Sequence, residues 1–107
     1  MKTAVLAATA VFFLALIPDA HSLELDGRVA DGLSREGIPH LTVKLTAPKA
    51  AGQPERITNT DRRGRFQFTG LGPGRYLLEV YQGVTVLHRE VVTINGNTRK
   101  DVDLRRR

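Results

Sequence analysis

Nucleophilic hydrolysis needs a Ser, Thr or Cys beside an oriented imidazole. Beyond its N-terminal segment this sequence offers Ser34, several Thr, and two histidines, His40 and His88. No nucleophile-elbow motif surrounds Ser34. His40 falls in Ile38-Pro39-His40-Leu41, a loop-like stretch in which it reads as a surface residue rather than a base. Cys is absent, which removes a thiol nucleophile, a thiolate zinc site, an iron–sulfur cluster, a disulfide frame and a lipoprotein cysteine. The histidines and scattered carboxylates contain no pair with helix- or hairpin-type ligand spacing. Asp101 and Asp103 alternate onto one solvent face of a strand and read as a solubilising edge. The expectation is therefore no catalytic residue, no metal, no cofactor and no enzyme.

Binding chemistry is better represented. Arg62, Arg63 and Arg65 crowd one turn, and Arg105-Arg106-Arg107 form a second basic run, in a chain of formal net charge +5. Of the aromatic rings outside the N-terminal segment, Phe66, Phe68 and Tyr76 have inward parity. Tyr81, beside Gln82-Gly83, is read as lying in a loop and available. Arg62, Arg63, Arg65 and Tyr81 are the expected binding surface.

Compartment decides which partners those residues would meet. Lys2 precedes an apolar run from Ala4 to Ile17, too short for the roughly 20 residues of a membrane-spanning helix. Pro18 and the small residues Ala20 and Ser22 follow, so residues 1–22 read as a signal peptide cleaved before Leu23. The domain then comprises residues 23–107, exported to a periplasm or secreted, with no transmembrane anchor after cleavage. An exported basic surface faces anionic envelope polymers, lipid phosphates or an acidic protein face rather than nucleic acid.

The elements that must position these residues are strands. Period-two alternation runs through Leu23-Leu25-Gly27-Val29, Leu41-Val43-Leu45, Phe66-Phe68 and Tyr76-Leu78-Val80, with a weaker β-prone run at Arg56–Thr60 and a last strand around Val102-Leu104. The run Val84–Ile94 changes its apolar face from Val84/Val86 to Val92/Ile94 across His88-Arg89-Glu90, as a bulge or a bend between sheets would cause. Val29, Val43, Leu45, Phe66, Phe68, Tyr76, Leu78, Val80 and Val102 are the expected core. About seven strands at short spacing predict an all-β sandwich in one domain.

The turns carry their own signals. Asp61 caps Asp61-Arg62-Arg63-Gly64, with Gly64 at positive φ. Pro73-Gly74 suits the centre of a type II turn, and Asn95-Gly96 is a strong hairpin signal. Leu71, Pro73 and Tyr76 together have the pattern of a tyrosine corner, in which the hydroxyl ties back to the backbone.

In this order the segments Gly27–Asp31, Gly37-Ile38-Pro39, Thr60-Asp61-Arg62-Arg63-Gly64-Arg65-Phe66-Gln67-Phe68 and Leu71-Gly72-Pro73-Gly74-Arg75-Tyr76 resemble the carboxypeptidase regulatory-like domain, from about Leu23 to Leu104. The resemblance implies a seven-stranded Greek-key sandwich of the prealbumin (transthyretin-like) type, also described as a carbohydrate-binding-like fold. Within that wider fold, 5-hydroxyisourate hydrolases depend on a C-terminal Tyr-Arg-Gly-Ser, whereas this sequence ends Leu104-Arg105-Arg106-Arg107. Intradiol dioxygenases hold iron with two Tyr and two His. Tyr76, Tyr81, His40 and His88 match that number but not its spacing. An internal Lys–Asn isopeptide, known from related surface domains, lacks its Lys on the first strand, and Glu79 has the parity opposite to the core. Family members usually accompany other domains, so the expected role is a non-catalytic module that binds another envelope or secreted protein. The alternative is a carbohydrate- or anionic-polymer-binding module.

Overall fold

The computed structural model describes residues 22–47 and 55–105. The signal-peptide reading, which rests on residues 1–22, lies almost wholly outside the described residues, as do Arg106 and Arg107. Apolar residues at alternate positions run through most of the eight strands found among the described residues. These are β1 (Leu23–Asp31), β2 (Thr42–Thr46), β3 (Arg56–Asn59), β4 (Arg65–Leu71), β5 (Gly74–Gln82), β6 (Thr85–Ile94), β7 (Thr98–Arg99) and β8 (Val102–Leu104).

The strands form two sheets of four. In the first, β1 is central, antiparallel to β4 on one side and parallel to β7 and then β8 on the other. The second has the order β3-β2-β5-β6, antiparallel throughout. All nine expected core residues are buried between the sheets, joined by Leu25, Ile38, Leu41, Leu71, Val92, Ile94 and Leu104.

The count of eight corrects the expected seven. Leu25 faces Thr98 and Val29 faces Val102, so β7 and β8 keep one register along β1 and amount to a single strand interrupted at Lys100-Asp101. At the interruption the Lys100 amide donates to the Asp26 carbonyl at 2.8 Å. The Lys100 carbonyl crosses so close to Gly27 that a side chain there would collide with it.

Two further readings change. Asn95-Gly96 does not close a hairpin: β6 belongs to the second sheet and β7 to the first, so these residues carry the chain between layers. The tight hairpin is Gly83-Val84, between β5 and β6, with Gly83 at φ 61°. Pro73-Gly74 likewise belongs to a crossing between sheets, from β4 to β5. Gly74 already pairs with Ile94 and has φ 153°, far from the value of about +80° at the third position of a type II turn. The Tyr76 hydroxyl donates to the Gly72 carbonyl at 2.7 Å in the buried interior, which is the tyrosine-corner contact. The face switch in β6 comes from a bulge: Val80 pairs with His88 and Tyr81 with Val86, leaving Leu87 as the extra residue, packed on the core.

Candidate functional site

Two surfaces bring together residues with binding chemistry. The first is the end of the sandwich that carries the 61–64 turn. Oδ1 of Asp61 accepts the amides of Arg63 and Arg65, each at 2.9 Å, and the Gly64 amide donates to the Asp61 carbonyl, also at 2.9 Å. Oδ2 of Asp61 meets the Arg65 guanidinium at 3.2 Å. The Arg65 amide is the main reason the Asp61 carboxyl lies below its usual range; it and the Arg63 amide and Arg65 side chain together outweigh the opposing desolvation. Gly64 has φ 78°, and a side chain there would strike the Val29 carbonyl and the Ile38 amide. Thr60, next in the motif, is buried; its hydroxyl donates to the Ile38 carbonyl at 2.7 Å and accepts the Leu41 amide at 2.9 Å. Thr60 and Asp61 thus fasten two neighbouring loops from adjacent positions.

A second turn packs against this one. Gly37 lies so near the Arg63 carbonyl that no side chain fits between them. Arg28 reaches across from β1, donating from Nε to the Arg63 carbonyl at 3.1 Å and from Nη2 to the Arg35 carbonyl at 2.9 Å. Arg35 has φ 66°, in a turn where Asp31 Oδ1 accepts the Leu33 and Ser34 amides at 2.8 and 3.1 Å. The chain leaving β8 arrives here too, since the Gly32 amide donates to the Leu104 carbonyl at 2.6 Å and the Arg105 side chain lies beside Gly32. Arg28, Arg35, Arg62, Arg63, Arg65 and Arg105 therefore belong to one end of the molecule. Arg65 is committed to Asp61, whereas Arg62 and Arg63 are exposed and make none of the ion pairs found among the described residues.

Beside this end, on the outer side of the first sheet, is an open polar depression of about 440 Å³. Asp26, Asn59, Asp61, Arg65, Gln67 and Arg99 are among the residues that line it. The ring of Phe66, which borders the depression, belongs to the buried core, so no aromatic face is offered to a sugar there.

The second surface is the outer face of the second sheet. Tyr81 sits here, on β5 and not in a loop as read from the sequence, because β5 runs on to Gln82 paired with β6. Its hydroxyl donates to Glu79 Oε2 at 3.0 Å, and the Lys44 ammonium stands 5.8 Å from its ring centre. Arg89 donates to the same Glu79 oxygen through Nε at 3.0 Å and Nη2 at 2.9 Å, while Lys44 approaches Glu79 at 3.9 Å and Glu55 at 3.4 Å. Burial pushes the Glu79 carboxyl up, but the Tyr81 hydroxyl, Arg89 and Lys44 outweigh it and hold the group below its usual range.

Residues 24–105 match the carboxypeptidase regulatory-like domain. The chain belongs to that family. No curated protein is similar enough in sequence to match this regulatory-like domain. Its fold resembles that of BcpA, the major pilin subunit of Bacillus cereus, with a TM-score of 0.62 and 13% identity over 78% of this chain and 30% of the pilin. A streptococcal ancillary pilin gives 0.60 and 20% over 82% and 31%. A Pseudomonas aeruginosa protein for which carbohydrate binding has been suggested gives 0.53 and 17% over 87% and 94%. At these identities the likeness speaks for the fold alone, and this domain spans about a third of the length of either pilin.

Within the regulatory-like domain, sequence reasoning missed Lys44, Glu79 and Arg89 as a group. They come from three strands and meet only through cross-strand register: Lys44 is opposite Glu79, and Glu79 is opposite Arg89. His40 is an exposed residue at φ 62°, and His88 pairs with Glu90 at 2.9 Å on β6. Among the described residues, no three His, Asp or Glu side chains gather where they could hold a metal ion, and no helix is long and apolar enough to cross a membrane.

Proposed function

We propose that this chain is an exported, non-catalytic β-sandwich module that holds another envelope or secreted protein through the outer face of its second sheet. The observation that carries this reading is the composition of that face. Ile57, Val86 and Val91, which are 59%, 42% and 53% exposed, lie on the same side as Tyr81, Glu79 and Arg89. Exposed apolar residues around Tyr and Arg are the make-up of protein-binding surfaces. Here Tyr81 and Arg89 are already fixed by Glu79, which reduces the entropy lost on docking.

The tagged domain and an Ile57→Lys, Val91→Lys variant would be used to capture proteins from an envelope extract, with mass spectrometry of what is retained. A protein enriched by the natural sequence and lost with the variant is the expected result. Equal enrichment by both would remove this face from the function.

Export is part of the proposal. The reading is supported by the start of β1 at Leu23, the residue that cleavage after Ser22 would expose, which is already paired with Leu71. N-terminal sequencing of the protein from the extracellular or periplasmic fraction should begin at Leu23; a sequence beginning at Met1 would overturn it.

A further inference from the structure

The geometry points to a second binding surface, distinct from the protein-binding face and independent of it. We propose that the end formed by the 32–37 turn, the 61–64 turn and the chain leaving β8 binds polyanions through their phosphate groups. Three segments distant in sequence deliver Arg35, Arg62, Arg63 and Arg105 to this end, with Arg28 behind them. All of these cations are guanidiniums. The planar guanidinium fork matches the oxygens of a phosphate in pairs, which an ammonium cannot do.

Some of the acids at this end are occupied, while Asp103, opposite Ala30 on β8, is exposed. Asp61 is spent on the Arg63 and Arg65 amides and the Arg65 side chain, and Asp31 caps the Leu33 and Ser34 amides; Glu36 is the exposed carboxylate of the 32–37 turn. Neutralisation by Asp61 therefore stops at Arg65, and the field of Arg62 and Arg63 is left for a ligand. The backbone beneath these arginines is held firmly. Gly37 rests on the Arg63 carbonyl, Gly64 on the Val29 carbonyl, and Arg28 clamps both turns, so the backbone carrying these arginines keeps a fixed geometry.

Among the described residues, Arg35, Arg62, Arg63 and Arg105 are exposed and border neither the 440 Å³ depression nor the smaller one beside it, which suits a chain or surface bearing many phosphates better than one small ion. Two sources share that chemistry, a soluble phosphodiester or polyphosphate chain and a layer of phospholipid headgroups.

Binding of the purified protein to long-chain inorganic polyphosphate, and separately to vesicles of phosphatidylglycerol in phosphatidylcholine, would be measured at low and at high salt. Replacing Arg35, Arg62 and Arg63 by Gln should weaken binding at low salt by at least about tenfold, as expected for three basic side chains acting on an anionic surface. High salt should abolish the difference between the two proteins. The thermal midpoint should be nearly unchanged, since exposed charges contribute little to folding. Arg62→Gln alone should weaken binding several-fold more than Arg75→Gln, an equal loss of charge on the outer face of the second sheet. Binding to polyphosphate but not vesicles identifies a soluble polymer as the source, and the reverse identifies lipid headgroups. No binding to either probe, or equal effects of Arg62→Gln and Arg75→Gln, would overturn the proposal.

Discussion

Glu79 lies on the solvent side of its sheet and is nevertheless only 4% exposed. Its parity, opposite to Leu78 and Val80, is plain in the sequence; its burial is not, because the covering side chains come from β2, β6 and two residues along β5. A carboxylate in that position is stable only while charged and paired, and removing a partner leaves a buried charge uncompensated. The pH consequence follows from the direction of its shift. The folded carboxyl lies below the ordinary value of 4.5, so its stabilising effect is complete above that value and is lost as pH falls through the folded value. Asp61 and Glu90 are shifted the same way, Glu90 by the His88 and Lys100 side chains against the opposing effect of burial. Urea midpoints should accordingly be flat from neutrality to about pH 5 and fall steeply below pH 4. Glu79→Gln, which cannot titrate, should lower the midpoint at neutral pH and flatten the acid fall. An unchanged acid slope would place that sensitivity on Asp61 and Glu90 alone.

At the scale of elements, strands were more legible than links. Alternation identifies a strand because burial of one face is imposed along its whole length. A link is chosen by where its two strands go, and that is decided by partners far away in sequence. Asn95-Gly96 has strong hairpin chemistry yet joins two sheets, whereas Gly83-Val84 closes the tight hairpin. Asp61 and Gly64 are different, since their turn closes on itself through local amides before any long-range contact is needed. The two kinds of glycine should respond in opposite ways. Gly64→Ala meets both positive φ and three backbone neighbours and should cost more than about 2 kcal/mol. Gly96→Ala meets open space at a position without positive φ and should change stability by less than about 1 kcal/mol in either direction. Urea unfolding of both variants checks the pair; equal costs would mean that the 61–64 turn does not support the fold.

For the molecule as a whole, the sandwich and its core were readable because all nine expected residues follow strict alternation. The meeting of the arginines was not readable: it depends on β8 running parallel to β1 and so delivering Arg105 beside Gly32. The same parallel pairing has a mechanical consequence. Leu104 lies opposite Asp31, at the far end of β1 from Leu23, about 26 Å away at the usual rise per residue. Tension applied at Leu23 and Leu104 would pull the first and last strands past each other along their length. The ladder joining them would then have to slide as a block instead of opening one hydrogen bond at a time. Forced unfolding is governed by the barrier to such a step and not by equilibrium stability. Single-molecule pulling through the two ends should therefore meet a much higher rupture force than pulling through attachment points at Leu23 and Gly83. Under such a load the parallel seam is set in shear.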